Sequence, residues 1–308
     1  MNKQKVRNSF LLVLTSLIWG TAFVAQSKGG KAIGPYAFNS IRSFIGAIAL
    51  IPVIIFLDKI IDNKKKPKTK EEFIILLKGG VMCGILLALG SSLQQLGMYF
   101  GTTAGKAGFL TACYIILVPI FSIFLKKKCG INIWIAVVVA IIGLYLLCIN
   151  GEFELEIGDI LVILCAVFFS FHILTIDYFS PKTDGVRMSC IQFFVCGIVT
   201  LIPALLFDIP FKNNEIGIWL TAFNNSETWL SLLFAGIMSC GVAYTLQIVG
   251  QNGLNPTVAS LIMSLESVFS VLAGWLILGE TLSGKEIIGC IFIFVAIILA
   301  QIPLKKDT

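Results

Sequence analysis

The sequence predicts an all-α membrane protein, with ten transmembrane helices arranged as two inverted five-helix repeats around a central cavity. Three observations lead there. Of the 308 residues, 57% are hydrophobic and only 13% are charged, about half the charged content of a typical water-soluble domain. The apolar residues gather into ten runs, each near the ~20 residues that a bilayer crossing requires. The second half of the chain also matches the first at a nearly constant offset.

The first run, 9–27, follows Lys3, Lys5 and Arg7, a layout that also begins secretory signal peptides. Its length, the lack of a small-x-small cleavage site at its end and its internal counterpart lead us to expect it in the mature protein. Runs at 34–57, 73–99, 102–125 and 132–149 complete the first unit, and runs at 158–179, 186–207, 228–250, 255–278 and 286–303 make the second. Turn or charge signals separate them: Gly29-Gly30, Pro67 in the lysine-rich stretch 64–70, Gly101, Lys126 to Lys128, the acidic stretch 152–156, Pro181, Asn213-Asn214, Asn255-Pro256 and Gly284. The connections after Tyr99 and Gly250 are so short that the helices they join are expected to run antiparallel as neighbours.

Lysine and arginine accumulate on the cytoplasmic side of short loops. With the N-terminus inside, sixteen of the 23 basic residues fall on the cytoplasmic side and four (Lys28, Lys31, Lys212 and Lys285) on the other; Arg42, Lys78 and Lys106 lie within or at the edge of runs. The expected location is therefore the cell membrane (plasma or inner membrane), multi-pass, with both termini cytoplasmic.

Trp19 falls opposite Phe169 and Arg42 opposite Gln192 at an offset of 150, while Gln95 meets Gln247 and residues 107–114 meet 259–266 at 152. The units are 1–150 and 151–308. Five crossings per unit force the second copy to enter the membrane in the opposite sense. Inverted repeats are an architecture of secondary transporters, with the substrate site near the midplane where the repeats meet. A passive small-solute channel or facilitator is the alternative.

Other function classes lack their residues. The nine cysteines are odd in number, scattered, and form no C-x-x-C pair, so they predict neither a disulfide framework nor a metal site. The net charge of +6 sits in short loops, which membrane topology explains without nucleic acid. No G-x-x-x-x-G-K-[ST] loop is present for direct ATP drive. One histidine and few carboxylates within the runs do not make an enzyme's constellation. No cofactor, metal ligand or catalytic residue is expected; the expected partners are a small-molecule substrate, the lipid bilayer and, for coupling, protons. Oligomeric state is not legible.

The segments SLIWGTAFVAQ (16–26), PYAFNSIRSFIGA (35–47), TTAGKAGFLTACYIILVP (102–119) and NPTVASLIMSLESVFSVLAGWLILGE (255–280) together resemble the EamA-type members of the drug/metabolite transporter superfamily. The resemblance covers nearly the whole chain, through the order and spacing of motifs that are individually short and apolar. It implies a central cavity lined mainly by the first, third, fourth, sixth, eighth and ninth runs, with the fifth and tenth in support. It also implies export of amino acids or related small metabolites and drugs.

Polar side chains in hydrocarbon are expensive and turn to the bundle interior or a water path. In the eighth run Cys240, Tyr244, Gln247 and Gln251 form one helical face. Ala88, Ser92, Gln95 and Tyr99 hold the equivalent positions in the third, so both stripes are cavity candidates, with helix-to-helix hydrogen bonding as the other use of such residues. Gln94 lies about 100° around the helix from Gln95, and both face a cavity only if that face is wide. Glu266 is the carboxylate deep in a run, opposite Tyr114 in the repeat; it is the candidate for proton coupling or a structural carboxyl. Lys106, near the outer surface, either attracts an anionic group or snorkels to headgroups. His172 suits a proton relay or an interior hydrogen bond. Arg42 pairs with an acidic group, binds substrate anions or snorkels, and the sequence leaves all three open. Trp19 is a candidate aromatic wall, or packs on its neighbour.

Overall fold

The computed structural model describes residues 3–60, 65–126, 130–148, 155–210, 215–278 and 283–302. Helix is the only regular structure among them. In hydrocarbon every backbone N–H and C=O needs an internal partner, and a helix supplies one within each crossing segment.

In the first half α1 (Lys3–Ile33), α2 (Pro35–Ile60) and α3 (Lys70–Tyr99) are continuous. The fourth apolar run folds as two helices, α4 (Ala104–Ala112) and α5 (Tyr114–Phe124), which meet at Cys113. Next comes α6 (Ile131–Cys148). The second half begins with α7 (Ile157–Phe179) and α8 (Gly185–Pro203), the latter running on into a wide π turn at Ala204–Asp208. The connection that follows carries a short helix, α9 (Ile216–Thr221), which the apolar pattern does not predict. Trp219 on α9 donates its indole N–H to Ile33 O at 2.9 Å, so this segment folds back over the end of α1. The eighth run is α10 (Ser226–Leu233), a π-helical stretch Phe234–Ala243, and α11 (Tyr244–Gln251). The ninth is again broken, α12 (Pro256–Met263) meeting α13 (Leu265–Leu278) at Ser264, and α14 (Gly284–Gln301) closes the order.

Among the described residues nine helices are long and apolar enough to cross a membrane. The predicted run 132–149 corresponds to α6, a shorter apolar helix with described side chains from Ile131 to Leu147. The signals at Lys127 and Lys128, at Glu152 and Glu154 and at Asn213-Asn214, like Lys64, Lys212, Lys305 and Lys306, lie outside the described residues.

Helix ends follow their local sequence. Thr69 and Glu72 form a reciprocal capping box at α3, and Ser283 and Glu286 another at α14. Thr103, Asp184 and Asn255 cap α4, α8 and α12 with their side-chain oxygens. The first turn of α2 is capped from the other half of the chain: Asp208 accepts from the N–H groups of Tyr36 and Ala37, both at 2.7 Å.

α3 packs on α7 and α8, α2 on α8 and the π-helical stretch, and α1 on α11 and α13, while α6 and α14 pack on one another. That last contact depends on two glycines. A Cβ on Gly143 would come within 2.9 Å of Gly289 O, and one on Gly289 within 2.7 Å of Gly143 O. Small residues of this kind let membrane helices approach backbone to backbone. Large apolar side chains such as Ile48, Phe124, Leu206 and Ile298 remain more than half exposed, a surface matched to lipid tails rather than to water.

Charged groups pair where helices begin and end. Where α2 finishes and α8 begins, Arg187 bonds Asp58 at 2.6 Å and also pairs with Asp184, while Lys66 joins Asp58 at 2.7 Å. Where α3 ends and α7 begins, Lys106 pairs with the buried Asp159 at 2.6 Å, and Thr102 donates to the other carboxylate oxygen at 2.9 Å.

Candidate functional site

Two cavities differ in chemistry. A recess of about 600 Å³ between α3, α5 and α7 is lined mainly by apolar side chains, among them Met82, Phe121, Phe124 and Phe171, with Thr175 and Tyr178 as its hydroxyl-bearing members. The other lies at the centre of the bundle. Its space is about 40 Å³, room for a few water molecules, and polar and aromatic groups from both halves of the chain converge on it.

From α1 come Trp19, Phe23 and Gln26, spaced i, i+4, i+7 so that one face looks inward. Arg42 comes from α2, Gln94 from α3, and Thr111 and Tyr114 flank the break between α4 and α5. The second half contributes His172 with Phe169 on α7, Ser239, Tyr244 and Gln247 around the π-helical stretch, and Met263 and Glu266 flanking the break between α12 and α13. The six runs that the family resemblance implies are all represented, and Arg42 adds the second.

The two helix breaks meet here. Tyr114 stands just past Cys113 and Glu266 just past Ser264, and the tyrosine hydroxyl donates to Glu266 Oε1 at 3.0 Å in a fully enclosed setting. These are the two positions that the repeat alignment sets opposite one another. Gln94 donates to Thr111 Oγ1 at 2.9 Å, and His172 Nε2 shares a hydrogen bond of 3.0 Å with Gln192 Oε1. The rings of Trp19 and Tyr244 lie 4.6 Å apart, and Tyr244 also meets His172 edge-on at 5.9 Å. Gly20, one residue beyond Trp19, brings α1 against α13, since a Cβ there would stand 2.7 Å from Glu266 O.

Of the residues singled out in the sequence, Trp19, Arg42, Tyr114, His172, Tyr244, Gln247 and Glu266 line this cavity. Five others do not. Gln95 is buried against α1, where its amide donates to Gln26 O at 2.7 Å through room left by Gly30. Its neighbour Gln94 takes the inward position, so the cavity face of α3 is turned by one residue from the expected stripe. Ser92 is half-buried outside the lining, and Tyr99 is exposed at the end of α3 beside Phe100. Gln251 is buried at the last residue of α11, one turn beyond Gln247. Lys106 is held by Asp159. Cys240, expected on the inward stripe, packs towards Gly46, and Ser239 lines the cavity instead. The wider π-helical turn moves the residue that faces inward before Tyr244 from i−4 to i−5. Gln26, Thr111 and Ser239 were not named as site candidates, and Gln94 was weighed only as a companion of Gln95 on a wide face; an intramembrane polar side chain was the available signal for each. Among the described residues no group of three or more His, Cys, Asp and Glu side chains is placed to hold a metal ion.

The model of the EamA-like transporter family matches residues 7–149 and again 156–301. The chain belongs to this family. An uncharacterized transporter of Archaeoglobus fulgidus is 29% identical over 94% of this chain and 84% of its own length. Transporter YoaV of Bacillus subtilis is 26% identical over 92% of each chain, and the inner membrane transporter YedA of Escherichia coli K12 is 21% identical over 93% of this chain and 88% of its own; both are likewise described as uncharacterized. A crystal structure superposes with a TM-score of 0.73 at 17% identity over 96% of both chains, a likeness of fold. The chain is thus a multi-pass membrane protein of a transporter family, with a small-molecule substrate implied.

Proposed function

We propose that the chain is a secondary transporter of ten membrane-spanning helices, in which units 1–150 and 151–308 are inverted repeats that exchange access to the central cavity. The reading has both termini in the cytoplasm, export of amino acids or related small metabolites and drugs as the activity, and proton coupling through Glu266. The observation that carries it is the central cavity itself, small and lined by polar side chains from seven helical runs of both halves. A small polar pocket where the two halves meet suits a site opened by turns to each side.

Paired contacts support the inverted repeats. A Cβ on Gly84 would meet Gln192 O at 2.7 Å, and one on Gly236 would meet Arg42 O at 3.0 Å; in the alignment Gly84 corresponds to Gly236 and Gln192 to Arg42, so the second contact is the first with the halves exchanged. The caps at Thr103 and Asn255 also correspond, and the breaks at Cys113 and Ser264 do so to within one residue. For coupling, Glu266 is the carboxylate in the cavity lining, and it stands on a broken helix against the neighbouring Gly20. A carboxyl at such a joint can exchange a proton as the joint changes partner.

Glu266→Gln tests this reading. The amide oxygen still accepts from Tyr114, so the fold is expected to persist, while the group no longer titrates. In proteoliposomes the variant is expected to lose accumulation driven by a proton gradient. Undiminished coupled flux would remove Glu266 from this role.

A further inference from the structure

We infer that Arg42 is the recognition residue for a carboxylate on the solute that enters the central cavity. The inference rests on the transporter reading of that cavity and names the class of its substrate: a small organic acid that also carries an N–H or O–H donor, as amino and hydroxy acids do.

Four carboxyl or guanidinium side chains are buried among the described residues. Three have partners: Asp159 has Lys106 and Thr102, Asp184 has Arg187, and Glu266 has Tyr114. Arg42 is the fourth. It is 6% exposed, it lines the cavity, and it has neither a hydrogen bond nor an ion pair to any described residue. Its guanidinium carbon stands over the Phe38 ring, 5.5 Å from the centroid. A guanidinium that lines a polar cavity presents a rigid fork of donors matched to the two oxygens of a carboxylate.

The other two roles open to Arg42 fail on geometry. Snorkelling needs the head group to reach the bilayer surface, whereas this one lines the interior. Internal pairing needs a carboxylate within reach, and Glu266, which lines the same cavity, makes no ion pair with it and holds the Tyr114 hydroxyl instead.

The rest of the lining complements an acid with a donor group. Gln26 Oε1 and Gln247 Oε1 are buried acceptors with no donor opposite them, and Trp19 Nε1 is a buried donor with no acceptor. Two acceptors and one donor, together with the imidazole Nδ1 of His172, are thus unsatisfied around the same space as the guanidinium. The space of about 40 Å³ in this conformer must widen to admit any organic acid.

The probe set is a panel of compact α-amino and α-hydroxy carboxylates, each with its primary amide. The readout is thermal stabilisation of the full chain in detergent, since a ligand that binds the folded state raises its midpoint. Carboxylates are expected to stabilise the wild type and their amides not. Arg42→Gln is expected to weaken that binding by roughly ten- to a hundredfold, the scale of a lost charge-assisted pair, with Arg42→Lys between. The wild-type comparison of acid with amide needs no variant, so it decides even if Arg42→Gln does not fold. Equal responses to acids and amides, a silent panel, or unchanged acid binding by a folded Arg42→Gln would each overturn the inference. So would recovery of acid binding in Arg42→Gln/Glu266→Gln, which would make Arg42 the partner of Glu266 in another conformer. Flux in liposomes separates the two readings. Carboxylate binding without flux contradicts the transporter reading alone, while flux without acid preference contradicts only the role of Arg42.

Discussion

Gly20→Ala adds one methyl group where α1 crosses α13. The new carbon would lie 2.6 Å from Phe269 Cβ, 2.7 Å from Glu266 O and 2.8 Å from Ser270 N. Two of these three atoms are backbone and cannot rotate away, so the helices must part by roughly 0.7 Å to restore ordinary van der Waals contact, an overpacking that costs about 1–3 kcal/mol. The displaced turn carries Glu266, whose carboxyl is fixed at 3.0 Å from Tyr114 Oη. Flux is expected to fall by about tenfold, because sub-ångström misplacement of a functional group is felt steeply. Gly105→Ala is the control, since nothing stands within 4 Å of its new carbon. Both variants would be followed by thermal denaturation in detergent and by proteoliposome flux. If Gly20→Ala matches Gly105→Ala in both assays, the close crossing of α1 and α13 does not hold the site as described.

Tyr114→Phe removes the hydroxyl that donates to Glu266 and is expected to cost about 1 kcal/mol and to slow flux, measured in the same two assays; a melting point and flux equal to wild type would contradict the contact. Asp159→Ala leaves Lys106 and Thr102 without their shared acceptor and is expected to destabilise by about 3 kcal/mol, with Lys106→Gln/Asp159→Asn recovering part of the loss in a double-mutant cycle. Asp208→Ala frees the N–H groups of Tyr36 and Ala37 at the start of α2, a cap worth about 1 kcal/mol, and amide exchange at these two residues is expected to accelerate. Gln94→Ala is expected to reduce flux more than Ser92→Ala, since Gln94 lines the cavity; the reverse order would restore the stripe read from the sequence.

Helix positions were legible because a bilayer crossing leaves a long apolar run between turn signals; each run has its helix within a few residues at either end except the first, where α1 extends six residues beyond the run at both ends and passes through Gly29-Gly30. What hydropathy does not record is a break inside an apolar run. Cys113 and Ser264 interrupt helices whose composition reads as continuous, and α9 is too short to register. For the cavity, expense in hydrocarbon marked Trp19, Tyr114, His172, Tyr244, Gln247 and Glu266, and each does line the space. Helical phase failed by one residue in two places, for two physical reasons. Adjacent Gln94 and Gln95 are distinguished only by what faces them, and Gly30 gives Gln95 a seat on α1. Ser239 displaces Cys240 because a π-helical turn changes the period that the phase assumes.

Uphill transport by the unmodified chain tests the central claim most directly. Purified protein in sealed liposomes, supplied with a radiolabelled mixture of amino acids and an imposed proton gradient, is expected to concentrate at least one of them beyond its level on the other side. A protonophore is expected to collapse that accumulation. Solute that only equilibrates, at a rate indifferent to the gradient, would contradict coupled transport and leave a passive pathway in its place.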